Sequence, residues 1–97
     1  MARYLVERQF EVGEAQMPDV GRRSRRLMEE HFPEVRWEHS HVAVGDDGTV
    51  KTFCLYEAPT EDVVRAHAKE LGMHKIQAIY EIVGDVTPAD FPLAAAS

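Results

Sequence analysis

Histidine is the residue type in this chain that offers the most chemistry. Five histidines occur among 97 residues, and neutral imidazole is the commonest transition-metal ligand in proteins. His39 and His41 are two residues apart on a predicted strand, so both side chains should leave the same face of the sheet. This pair is therefore the first candidate for a metal site.

A predicted hairpin brings the single cysteine, Cys54, close to the pair. Two registers of the hairpin are open, and they differ by two residues. The first places Trp37 opposite Tyr56 and His39 opposite Cys54, whereas the second places His41 opposite Cys54. Both registers put the histidines, the thiol and the two aromatic side chains on one face, so we predict that Trp37 and Tyr56 line the site.

His67 joins this group only if its helix covers the same face of the sheet. It lies in the apolar stripe, within residues 64–71, of the helix predicted over residues 60–71, and this stripe should pack on the sheet. If the face with His39 and Cys54 is the covered one, His67 can meet them; if that face forms a dimer interface, it cannot. The sequence leaves both arrangements open, and Glu57 adds a carboxylate at a nearby strand position.

These residue types together favour a site for a divalent transition metal. Imidazole, thiolate and carboxylate are all ligands of such ions, although strong zinc spacings such as paired C-x-x-C are absent from the sequence. The predicted ligands are His39, His41, Cys54, Glu57 and His67.

Acid–base catalysis is the alternative chemistry. His39 or His67 could be poised by Glu57, with Tyr56 as a hydrogen-bond donor, in a pocket between sheet and helices. No nucleophile elbow, glycine-rich phosphate loop or H-E-x-x-H motif is present to specify a reaction. An enzyme is therefore the less favoured hypothesis.

The elements that would position these residues form a βαββαβ order. Alternating apolar residues, a D-D-G turn and helix-capping residues predict them. We expect an α+β, ferredoxin-like domain over residues 1–87, followed by a loosely ordered tail at 88–97. Its antiparallel sheet should have strand order 4-1-3-2, with two helices on one face. The predicted strands are residues 3–10, 35–44, 49–58 and 76–86, and the helices are 18–31 and 60–71.

Both faces of this sheet carry apolar residues. Leu5 alternates with Val6, and Phe53 and Leu55 alternate with Cys54 and Tyr56, yet two helices can cover only one face. An exposed apolar sheet face is rare in monomers, so we predict a homodimer of the dimeric α+β barrel type.

The composition excludes several classes of protein. A net charge of -6 disfavours binding to nucleic acid, which requires clustered lysine and arginine. The apolar stretches are far shorter than the roughly 20 residues of a membrane span. A lone cysteine forms no intrachain disulfide, and no signal peptide opens the chain, so we expect a cytoplasmic protein.

Four short blocks occur in order along the chain: YLVER at 4–8, WEHS at 37–40, CLYEAP at 54–59 and HA at 67–68. Together they resemble the small bacterial proteins grouped as DUF4242, described as nickel-binding-like. The resemblance implies a ferredoxin-like dimer and, for at least one type of member, nickel binding. His41 departs from the family pattern, in which an aromatic residue is usual. The positions that the resemblance implies for the site are His39, Cys54, Tyr56, Glu57 and His67.

The leading hypothesis is thus a cytoplasmic homodimer that binds nickel for sequestration or sensing. Zinc or copper would suit the same ligands. The alternative is an enzyme or small-molecule-binding module of the dimeric α+β barrel kind, with a pocket of histidine, tyrosine and glutamate. A purely structural dimer is the third possibility.

Overall fold

The computed structural model describes residues 1–94 as one antiparallel sheet of four strands with two helices packed on one face. The sheet order is β2-β3-β1-β4, which is the predicted order 4-1-3-2 read from the opposite edge. The α+β prediction is confirmed. The elements are β1 (Ala2–Phe10), α1 (Met17–His31), β2 (Arg36–Val44), β3 (Val50–Ala58), α2 (Glu61–Leu71) and β4 (His74–Ile82), with short 3-10 turns at Glu14–Gln16 and Pro88–Asp90.

Helix α1 begins with proline in its first turn, where the missing N–H costs no hydrogen bond. Its buried residues are Val20, Ser24 and Met28, each four positions after the last, so one stripe faces the sheet. Ser24 is the polar member of this stripe, and it therefore needs a hydrogen-bond partner in the core.

Helix α2 has clear signals at both ends. The Thr60 hydroxyl oxygen accepts a hydrogen bond from the backbone N–H of Val63 at 3.4 Å. Gly72 ends the helix with φ at 69°, a conformation that glycine adopts without strain. The residues that α2 buries include His67 and Leu71.

The core lies between the helices and strands β1 and β3. Tyr4, Val6, Arg8 and Phe10 all point from β1 into this core, and Val6 is fully buried. Arg8 is the one charged side chain in this inward row. No helix within residues 1–94 is long and apolar enough to cross a membrane.

The opposite face of the sheet, here called the open face, carries no helix from residues 1–94. Leu55, Leu5 and Tyr80 are neighbours across β3, β1 and β4 and form an apolar row on this face. Leu5 and Leu55 are half-buried, whereas Tyr80 is 58% exposed. The predicted apolar second face is thus present in the structure.

Strand β4 differs from its predicted range of 76–86. It begins earlier, at His74, because β1 continues to Phe10 and pairs with it there. It ends at Ile82, which pairs with Arg3, and only Ala2 of β1 lies beyond that pair. The loosely ordered tail stays a prediction: Pro88–Asp90 forms a 3-10 turn, and residues 95–97 lie outside the described part.

Candidate functional site

His39 and His41 lie side by side on the open face, near the edge of the sheet. Their ring centroids are 5.2 Å apart, with the rings nearly perpendicular, and both side chains are exposed. Across the hairpin they are opposite Leu55 and Phe53, respectively. The pair is therefore accessible to a metal ion from solvent.

Both predicted hairpin registers are wrong at the histidines. The loop between β2 and β3 has five residues, and Val44 pairs with Val50. Because this loop is one residue longer than the four-residue turn that the first predicted register implies, Ser40 lies opposite Cys54 and the histidines lie on the other face.

An irregularity between Trp37 and His39 then changes the register again. Glu38 is the extra residue of this β-bulge, and its carboxylate accepts two hydrogen bonds from Arg3, at 2.8 and 3.1 Å. The Arg3 guanidinium lowers the pKa of Glu38. Beyond the bulge, Trp37 lies opposite Tyr56, as the first register predicted.

Cys54 and Tyr56 lie on the helix-covered face. Cys54 is 5% exposed, and its thiol donates to the Thr52 hydroxyl at 3.4 Å. Tyr56 is also buried, and its hydroxyl accepts a hydrogen bond from Arg8 at 3.1 Å. Burial raises the pKa of Tyr56, so the phenol stays protonated.

His67 is buried in the same core. Its Nε2 is hydrogen-bonded to the Ser24 hydroxyl at 3.2 Å, and its ring packs edge-on against Phe32 and Tyr56. Burial and then the charge of Arg8 lower the pKa of His67 to about 4. The predicted packing of His67 on the sheet is correct, but the sheet separates it from His39 and His41.

Glu57 lies on the open face, two residues along β3 from Leu55, the residue opposite His39. It is opposite Arg36, and their charged groups are 3.5 Å apart. The predicted metal ligands are thus divided between two faces of the sheet. In the part of the chain that the structure describes, no group of three or more histidine, cysteine, aspartate or glutamate side chains could hold a metal ion.

The same division separates the predicted acid–base group. His39 and Glu57 lie on the open face, whereas His67 and Tyr56 lie under the helices. These residues therefore do not form one pocket in the part of the chain that the structure describes.

A cavity of about 220 Å³ lies between α1 and the inner side of strands β1, β2 and β3. Trp37 and Tyr56, the two predicted pocket residues, both line it, together with Cys54. Arg8 lines it as well, although sequence analysis did not single out this residue. The sequence does indicate its burial, because inward and outward residues alternate along β1 and Arg8 lies between the inward residues Val6 and Phe10.

His74 is a second residue of this region that was not among the site residues predicted from the sequence. It is half-buried at the start of β4, and its Nδ1 donates to the carbonyl of Gly72 at 2.6 Å. This leaves Nε2 to accept a hydrogen bond from Arg8 at 3.2 Å. Burial and the Arg8 charge both lower the pKa of His74.

Comparison with known protein families identifies the family of this chain. The family model described as nickel responsive protein SCO4226-like matches residues 4–82. The chain belongs to the SCO4226-like family. The resemblance to DUF4242 is compatible with this assignment.

A solved structure supports the fold of this SCO4226-like protein. The crystal structure of SCO4226 from Streptomyces coelicolor A3(2) matches with a TM-score of 0.63 and 18% sequence identity. The match covers 88% of this chain and 100% of that one. At this identity the likeness supports the fold alone, and no curated protein shows a significant match.

Proposed function

We propose that the protein is a cytoplasmic homodimer that binds nickel through His39 and His41, in sequestration or sensing. One observation supports this function above the others: an exposed imidazole pair in a member of a nickel responsive family. The pair replaces the larger ligand set that the sequence suggested.

The geometry of the pair suits one shared ion. Imidazole nitrogens bind transition metals at about 2 Å, so two rings with centroids 5.2 Å apart can both reach one ion after small rotations. Two imidazoles do not complete the coordination of nickel. Water or groups from a second protomer would supply the remaining ligands.

The open face is the surface that would bring a second protomer to the pair. His39 lies opposite Leu55 and so continues the apolar row of Leu55, Leu5 and Tyr80 across all four strands. Isologous pairing of two open faces would bury this row. The same pairing would place part of the partner near the histidines.

Cys54 and His67 belong to the core in this proposal. Both are buried on the helix side, and each has a hydrogen-bond partner there. A metal ion at His39 is separated from them by the sheet. Their substitution should change the stability of the protein rather than its nickel affinity.

Calorimetric titration of nickel and zinc into tag-free, chelator-stripped protein tests the proposal. We expect micromolar nickel binding by the wild type, and at least about tenfold weaker binding by His39→Ala and by His41→Ala, since each removes one of two ligands. His31→Ala is the matched control, because His31 is an exposed histidine on α1. Its nickel affinity should equal that of the wild type.

Two outcomes would contradict this site. If the wild type bound neither nickel nor zinc, the proposed metal-binding function would be wrong. If His67→Gln lost nickel binding while His39→Ala kept it, the metal site would lie on the helix side of the sheet and not at the histidine pair. Either result can be separated from misfolding by circular dichroism of each variant.

A further inference from the structure

Arg8 is a buried cation without an acidic partner. Its side chain is 1% exposed, and arginine does not lose its proton in proteins. Within residues 1–94, no carboxylate lies within 4 Å of its guanidinium. Burial of such a charge is costly unless a counter-ion balances it.

The partners that Arg8 does have are neutral. One Nη donates to the Tyr56 hydroxyl, and the other donates to Nε2 of His74. The Nε of Arg8 has no hydrogen-bond partner in the described part of the chain. Arg8 therefore retains both an uncompensated charge and a free donor.

The cavity lies against this cation. Its polar lining includes Arg8, Tyr56 and Thr52, and no acidic side chain of residues 1–94 lines it. The remaining wall is largely apolar, with Val20 and Leu71 among its members. A cavity of about 150 Å³ admits benzene, so one of about 220 Å³ has room for a ring with a short polar arm.

We propose that this cavity binds a small aromatic monocarboxylate, whose carboxylate meets Arg8 and Tyr56 and whose ring occupies the apolar part. Guanidinium matches a carboxylate with charge-assisted hydrogen bonds, and the protonated Tyr56 hydroxyl can donate its own hydrogen to a carboxylate oxygen. The site lies on the opposite side of the sheet from His39 and His41. It is independent of the proposed nickel function.

Gly21 offers a way to close the cavity without changing its charge. It lies on α1 and lines the cavity, and a Cβ placed there would meet no atom within 4 Å. A larger side chain can therefore extend into the cavity while the helix is preserved. Leucine also favours helix more than glycine does.

The experiment compares acids with their neutral amides by ligand-observed NMR in the presence of a chelator. The probes are benzoate, phenylacetate and 3-phenylpropionate, each paired with its amide, and inorganic phosphate. We expect the wild type to bind at least one acid about tenfold or more tightly than its amide. Arg8→Met should lose that preference, and Gly21→Leu should bind neither form.

Arg26→Met is the matched control, because it removes an exposed arginine of α1. It should bind the acid as the wild type does, and so should His39→Ala. The proposal is overturned if no acid binds at millimolar concentration, if acid and amide bind equally, or if phosphate binds as well as the acids. Acid binding that persists in Gly21→Leu would also overturn it, even if Arg8→Met failed to fold.

Discussion

At position 67 the fold requires a neutral histidine. The ring is 1% exposed, bonded to Ser24, and near the positive charge of Arg8. A proton on this ring would create a second buried cation beside the first. Burial, followed by the Arg8 charge, accordingly lowers the pKa of His67 from 6.5 to about 4.

Acid should therefore destabilise the protein through His67. The unfolded chain binds this proton below about pH 6.5, whereas the folded chain binds it only near pH 4. The contribution of neutral His67 to the free energy of unfolding is complete above about pH 6.5 and falls as the pH drops from about 6.5 to about 4. Urea unfolding should show about 2.5 kcal/mol lost to His67 between pH 7 and pH 4.5, with His74 adding a loss of the same sign.

Variants separate these contributions. In His67→Gln the loss between pH 7 and pH 4.5 should shrink, because glutamine can bond to Ser24 without titrating. His31→Gln is a useful contrast: its partner Glu70 raises the pKa of His31, so this histidine stabilises at low pH and loses that effect as the pH rises. Equal pH dependence in wild type and His67→Gln would contradict the assignment.

Single residues show what the sequence could and could not predict. The alternation in β1 places Arg8 inward, so its burial was predictable from residue pattern. Its partners were not, because Tyr56 and His74 are 48 and 66 positions away along the chain. The missing counter-ion is likewise a property of the assembled core and cannot be found in any local segment.

At the level of elements, local signals predicted every helix and strand, but not the hairpin register. Register depends on the loop length and on the bulge at Glu38, and one residue of change moves a side chain to the other face. The Arg3–Glu38 interaction that accompanies the bulge joins β1 to β2 across β3. Such a long-range contact has no signature in the sequence of β2.

Helix α2 provides a test of element stability. Thr60→Ala removes the acceptor for the Val63 N–H, so we expect the free energy of unfolding to fall by about 1 kcal/mol. Chemical denaturation measures this loss. Thr60→Ser retains the hydroxyl and should stay within about 0.5 kcal/mol of the wild type, whereas equal losses in both variants would indicate that the methyl group matters instead.

For the whole molecule, the two faces of the sheet present different chemistry. Among residues 1–94, the helix side encloses a cavity and a buried cation, Arg8, that has no acidic partner, whereas the open face presents an apolar row that ends at the histidine pair. A monomer would expose the row to water, and burial of apolar area is the main force of association. On the proposed pairing of two open faces, which would bring the partner near the histidines, dimerisation and metal binding should be coupled.

Leu5→Glu tests this coupling, since Leu5 lies between Leu55 and Tyr80 in the row and two strands away from His39. A carboxylate at the centre of the row should prevent two open faces from pairing, because its burial would lack a partner. Sedimentation should then show a dimer for the wild type and a monomer for Leu5→Glu. Ala66→Glu is the matched control, since it adds the same charge on the exposed side of α2 and should remain dimeric.

The nickel affinity of the monomeric variant completes the argument. If a second protomer supplies ligands, Leu5→Glu should bind nickel more weakly than Ala66→Glu does, although both retain His39 and His41. Equal affinities of the two variants would mean that the imidazole pair and water are enough to bind nickel. If the wild type sediments as a monomer at tens of micromolar, the proposal that a second protomer supplies ligands would be wrong. Any nickel bound would then be held by His39 and His41 without a partner.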